Sequence, residues 1–200
     1  MQTPYRPDNK TQLPLEHYLK LYKQADVQEI SQRTGVPYEG RFILNILGET
    51  KTASWPDFED EGWSATAKIL FLRYLLEGRE APPFNGFVTY RDMPWGDLYD
   101  VNFQGRCVKR LARTFGSKPE AFMKACEATG GVRISGSGIC YELCLLKGLY
   151  LRFTLWEGDE EFAPNAQILF SDNFPQVFSA EDRVVVCEYT LERLKKLMTT

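Results

Sequence analysis

Residues 139–156 read I-C-Y-E-L-C-L-L-K-G-L-Y-L-R-F-T-L-W, two apolar runs joined by Lys147-Gly148. In the second run Leu149, Leu151, Phe153 and Leu155 alternate with Tyr150, Arg152, Thr154 and Trp156. Successive side chains of a strand point to opposite faces, so four apolar residues share one face and the other four the reverse. Two such runs flanking a two-residue turn with glycine predict an antiparallel hairpin, 139–146 with 149–156.

Elements on either side fit the same architecture. A-Q-I-L-F (166–170) predicts a further strand, and Ser179 with Asp182 starts a last helix that reaches about Leu197. Before the hairpin, Ser117 and Glu120 form a capping-box pattern for a helix to about Ala128, and I-S-G-S-G (134–138) reads as a break. A helix is predicted over Asn102–Phe115, stopped by Gly116, and another from Ser64 to Glu77 with Gly78 just past its end. R-D-M-P-W-G-D-L-Y-D (91–100) reads as irregular and aromatic, after a short extended piece at F-V-T-Y (87–90). R-F-I-L-N-I-L (41–47) and K-T-A-S-W (51–55) predict a second hairpin around Gly48-Glu49. Pro14 opens a first helix, and Asp26 with Glu29 caps a second that Gly35 ends.

Helices and strands come in blocks joined by hairpins, without strict strand–helix alternation. The expected fold is therefore α+β: a single domain over residues 13–200, mainly an antiparallel sheet flanked by helices, behind a flexible N-terminal arm at 1–12.

Composition removes several classes of function. A formal charge of −3 and a pI near 5.4, with no basic run, argue against nucleic acid as a partner. No apolar stretch approaches the roughly 20 residues a membrane span needs. The first residues are polar and proline-containing, so a soluble, cytoplasmic protein is expected. Five cysteines at irregular spacing, none in C-x-x-C, fit a reducing compartment rather than a disulfide framework. Cys140 and Cys144 lie four apart on a predicted strand, about 13 Å between Cα atoms, too far for a disulfide or a shared metal. They read as buried small residues. His17 is the only histidine, so a catalytic triad or a histidine-rich metal site has almost nothing to draw on.

Two stretches remain as candidate functional surfaces. The first is W-E-G-D-E-E-F (156–162), whose Glu157, Asp159, Glu160 and Glu161 follow a strand end. Carboxylates suit hard cations such as Mg²⁺, and Asp159, Glu160 and Glu161 are weak metal candidates, with Asp172 or Asp182 as further donors. The spacing matches no EF-hand loop, no histidine lies nearby, and no firm metal set emerges. The alternative is a structural loop pinned by Trp156 and Phe162, its acids set against a helix N-terminus or against Arg91, Arg152 or Arg183. The second surface holds Tyr90, Arg91, Trp95 and Tyr99, where aromatics around an arginine suit a planar ligand or a protein partner. Its plainer reading is packing over the sheet.

The stretch L-R-F-T-L-W-E-G-D-E-E-F-A-P-N-A-Q-I-L-F-S-D-N-F, with the following A-E-D helix start, resembles the C-terminal part of the prokaryotic family called domain of unknown function 3786. R-T-G-V-P-Y-E-G, F-I-L-N-I-L-G-E-T-K and G-F-V-T-Y-R-D-M-P-W-G-D-L-Y-D-V-N-F fit its N-terminal order. The resemblance implies a bacterial or archaeal protein, chiefly of anaerobes, with relatives joined to a cysteine-rich iron–sulfur module. This chain lacks such a module, so a link to metallocofactor or redox metabolism is an implication of the resemblance alone. The family carries no catalytic residue to transfer. Two functions follow as expectations: a non-catalytic binding or accessory domain for a protein or small molecule, or a metal-assisted, hydrolase-like enzyme using the acidic loop 157–161. No particular cofactor is indicated.

Overall fold

The computed structural model describes residues 11–198, and residues 1–10 of the expected arm lie outside them. The described chain clusters into two compact units: residues up to Leu44 with Lys51–Glu80, and Asn45–Thr50 with the chain from Ala81 onward.

The first unit is built from helices α1 (Gln12–Gln24), α2 (Val27–Thr34) and α3 (Ala65–Glu77), with most of strands β1 (Arg41–Ile46) and β2 (Glu49–Ser54). The predicted caps form. The Asp26 carboxylate accepts from the Gln28 and Glu29 amides at 2.7 and 3.2 Å, and Gly35 ends α2 at φ 69°. Ser64 Oγ accepts from the Ala67 amide at 3.2 Å. These bonds satisfy helix-end donors that otherwise have no partner. At the other end of α3, Arg33 donates to the Leu75 carbonyl at 2.9 Å and to the Gly78 carbonyl, setting a cation where the helix dipole is negative. The β1–β2 turn is Leu47-Gly48, one residue earlier than expected, because both adopt positive φ (48° and 72°), as a tight hairpin turn demands.

The second unit carries a five-stranded sheet in the order β3 (Phe87–Thr89), β7 (Asn165–Ser171), β6 (Leu149–Trp156), β5 (Ile139–Leu146), β4 (Val132–Ile134). Every pairing in it is antiparallel. The hairpin at 139–156 forms as read, and Leu149, Leu151, Phe153 and Leu155 are all buried. Tyr141, Leu143 and Leu145 of β5 and Ala166, Ile168 and Phe170 of β7 are buried as well. Each fully buried side chain of this size contributes about 1.5–3 kcal/mol, so this face supplies much of the unit's stability. Against it pack α5 (Lys109–Phe115) and α6 (Pro119–Ala128), and α7 (Ala180–Met198) packs in turn on α6. Ser179 and Asp182 form the expected reciprocal cap of α7, at 2.6 and 3.2 Å. Four cysteines are buried and Cys144 is half-buried, as small core residues. Mainly antiparallel sheet and flanking helices give the α+β class expected from the sequence.

Three local readings need correction. The segment 91–100 is not wholly irregular: α4 spans Gly96–Phe103, continues through a π-turn at Gln104–Val108, and runs on into α5. The Ser117/Glu120 box does not form; Lys118 occupies the cap position without a side-chain bond, and Pro119 opens the helix. The stretch before the glycine break is strand β4, paired with Cys140–Glu142 of β5.

Glycine is required at the start of α4, where a Cβ on Gly96 would lie 2.0 Å from the Tyr90 carbonyl oxygen. At Gly105, inside the π-turn, a Cβ would meet nothing within 4 Å. Urea denaturation should therefore separate two chemically identical substitutions. Gly96→Ala is expected to lose about 2–3 kcal/mol, the range for forced overpacking. Gly105→Ala is expected to lose nothing, or to gain up to about 1 kcal/mol from reduced chain entropy.

Candidate functional site

Strand β3 ends early. Its register with β7 covers only Phe87↔Ser171, Val88↔Phe170 and Thr89↔Leu169. The chain then turns: the Asp92 carboxylate accepts the Thr89 amide (3.2 Å) and hydroxyl (2.6 Å), and the Met93 amide reaches the Tyr90 carbonyl at 3.3 Å. On its other side β7 is paired with β6 from Asn165 to Phe170. Residues 165–168 therefore have a strand neighbour on one side only.

A pocket of about 350 Å³ opens at that place. Thr89 and Tyr90 line it from the end of β3, and Phe103, Gln104 and Val108 from the helix and its π-turn. Trp156 and the run from Asn165 to Ile168 complete the wall. Four consecutive strand residues point alternately to both faces, so a pocket that touches all four lies at the strand's edge.

The back wall is an aromatic stack. Tyr90 and Phe103 lie 4.4 Å apart at 11°, and both contact Phe170. The Tyr90 hydroxyl donates to the Ala180 carbonyl at 2.9 Å, and burial pushes its phenol up to about 12. The buried Arg183 lies over the Tyr90 ring at 5.5 Å and donates to the Pro94 carbonyl at 2.6 Å and the Ser179 carbonyl at 3.2 Å. Its Nη1 has no partner. Desolvation lowers its pKa, since a buried guanidinium is favoured less than a solvated one.

The acidic loop joins this pocket directly, because its two stems, Trp156 and Asn165, are pocket walls. Asp159 closes the loop as a turn: its carboxylate accepts the Phe162 amide at 2.7 Å and the Glu161 amide at 2.9 Å, and its own amide donates to the Phe162 carbonyl. Those two bonds, Phe162's first, hold the carboxyl below its ordinary range. Pro164 seats the loop, packed so closely that a Cβ on Gly116 would lie 2.2 Å from it and one on Gly158 2.6 Å.

The expected clamp by two rings is not what orders this loop. Trp156 is half-buried and its indole donates to the Ser137 carbonyl at 3.0 Å, but Phe162 is 70% exposed. Nor does an arginine answer the acids. Arg152 pairs with Glu142 at 3.0 Å and lies over Phe87, Arg183 serves backbone carbonyls, and Arg91 is exposed. Among the described residues, Glu157, Asp159, Glu160 and Glu161 form no ion pair. Asp172 and Asp182, considered as further metal donors, are engaged by the Asn85 amide and by Ser179. No three His, Cys, Asp or Glu among the described residues are grouped to hold a metal ion, so the structure gives Asp159, Glu160 and Glu161 no converging third shell of ligands.

Of the aromatic segment, Tyr90 alone enters the pocket. Trp95 and Tyr99 are exposed, with Leu98 and Val101, on the outer face of α4. Gln104, Asn165 and Gln167 are pocket residues that the sequence did not single out; the only sequence cue was their position beside the helix and strand signals. No described helix is long and apolar enough to cross a membrane.

No curated protein and no solved structure gives a significant match to the chain. A family model described as a domain of unknown function (DUF3786) matches residues 26–193, most of the chain, and the chain belongs to that family.

Proposed function

We infer that the protein is a non-catalytic binding module for a cationic polypeptide, recognised at the pocket and the acidic loop beside it. One observation carries this reading: among the described residues, Tyr90 is the only ionisable one lining the pocket, and its hydroxyl is already engaged. General acid–base or nucleophilic chemistry needs a titratable or nucleophilic group within reach of the reacting atom. This pocket offers instead the amides of Gln104, Asn165 and Gln167, a threonine hydroxyl and aromatic walls, the mix that orients a bound group. Beside it stand four carboxylates that form no ion pair among the described residues, and these favour a basic neighbour and speed its approach. The metal-assisted hydrolase reading would require carboxylates converging on a cleft, and the loop's acids face outward with no such set.

The test is a titration of ¹⁵N-labelled protein with the short peptide Ac-Thr-Val-Thr-Val-Lys-Lys-NH₂. Amide shifts are expected at Gln104 and across 156–168, weakening as salt rises from about 50 to about 500 mM. A Glu157→Gln/Glu160→Gln/Glu161→Gln variant should lose most of the response. No shift with this peptide, or equal shifts with a glutamate analogue, would overturn the reading.

The loop itself has a pH signature. A carboxylate whose folded pKa is depressed supports its contacts above the unfolded value and releases them as pH falls through the folded value. The Glu161 and Phe162 amide resonances should therefore hold steady through neutral pH and titrate with a midpoint below 3.8. In Asp159→Ala both titrations should vanish.

A further inference from the structure

We propose that the bound segment adds as a strand to the open edge of β7 at Asn165–Ile168, in line with β3, with one side chain in the pocket. This rests on the binding reading above and names the mode and partner: an extended peptide whose C-terminal half is basic.

The register carries the argument. β3 pairs with Leu169–Ser171 and is then turned away by Asp92, while β6 continues alongside β7 to Asn165. The next stretch of edge is left for another chain. In an antiparallel ladder, alternate residues direct both their N–H and C=O groups to one side. The Asp172 amide donates to the Gly86 carbonyl at 3.0 Å, so the even-numbered residues of this strand direct theirs toward the β3 side. Ala166 is one of them, and its N–H is held by the Asn165 side-chain oxygen at 2.8 Å. A backbone donor at a sheet edge requires an acceptor, and here a neighbouring side chain supplies it. An incoming peptide carbonyl fits that position with no change in bond type.

Orientation and composition follow. A segment continuing β3 runs antiparallel to β7, so its C-terminal end arrives at Asn165, beside Glu157, Asp159, Glu160 and Glu161. Those carboxylates, which no cation of the described chain neutralises, favour lysine or arginine there. One residue earlier or later along the peptide, a side chain enters the pocket, where Thr89, Gln104, Trp156 and Gln167 are among the lining residues that remain accessible to it. Backbone bonds then supply affinity, and pocket and charge supply selection.

An N-methyl scan of the same peptide tests the mode. Methylating an amide that faces β7 removes one hydrogen bond and adds a clash, whereas methylating one that faces away does neither. Affinity should fall about tenfold or more at alternate positions and hold within about twofold at the others. The pocket-filling variant Gln104→Trp, with thermal unfolding to show that it folds, should weaken the unmethylated peptide by a similar factor. If the unmethylated peptide binds but every methylated form binds alike, strand addition is overturned and the binding reading stands. If the unmethylated peptide does not bind, both fall. Self-association through this edge would also overturn the proposal; it would appear in sedimentation as a dimer that Gln104→Trp dissociates.

Discussion

The second unit depends on Arg183, a 1% exposed guanidinium that makes no ion pair among the described residues. Burying such a charge without an anion is costly, and structures retain it only where its hydrogen bonds fix something else. Here it fixes two backbone carbonyls far apart in sequence, Pro94 and Ser179, and lies over the face of Tyr90. Tyr90 in turn donates to Ala180 and stacks on Phe103. One side chain thus ties the end of β3, the entry to α4 and the first turn of α7 to a common point. The Trp95 backbone at φ 64° and the glycine that must follow it are consequences, because the chain reverses there against the Tyr90 carbonyl.

From that point the helix must serve two surfaces at once, and the π-turn is how it does so. Phe103 and Cys107 turn inward, Cys107 with its thiol 3.6 Å from the Val184 carbonyl. Arg106 reaches α7, bonding Glu188 through two nitrogens at 2.9 and 2.7 Å and Glu181 at 2.9 Å. Gln104 and Val108 face the pocket. Widening one turn shifts the phase of all later side chains, which is why such turns recur where a helix must both pack and present a site. The bidentate Arg106–Glu188 pair holds the widened turn against α7 with a fixed geometry.

Much of the fold was legible because its rules are local. Leu149, Leu151, Phe153 and Leu155 alternate with one buried face, and Asp26, Ser64 and Ser179 carry the cap in the side chain itself. What was not legible was set by distant contacts. Nothing near Gly96 announces a helix start, since its cap is Trp95 in a left-handed conformation with no capping bond. β4 presents exposed Val132 and Arg133 and is a strand only because β5 pairs with it. At the site, Tyr90 and the acidic loop stood out by chemistry, whereas Gln104, Asn165 and Gln167 belong to no motif and meet only through the register of β7. Phe162 misled because an aromatic beside a turn suggests burial, yet Asp159 closes the turn by backbone bonds that need no ring.

The two ends of this sheet are protected differently, and the difference bears on what can pair there. Beyond β4, the Leu145 carbonyl of β5 is taken by the Leu47 amide at 3.1 Å, so that stretch of the β5 edge is partnered within the chain. At Asn165–Ile168 the protection is one side-chain bond to Ala166 and a neighbouring set of acids that form no ion pair among the described residues. Open edges invite pairing with any exposed strand, including that of an identical molecule. Two copies meeting edge to edge here would bring two acidic loops together, at a cost in like-charge repulsion that falls on self-pairing and not on a basic segment. On the proposed mode of binding, the carboxylates act on both sides of the choice: they oppose pairing of the edge with a copy of itself and favour a partner that neutralises them.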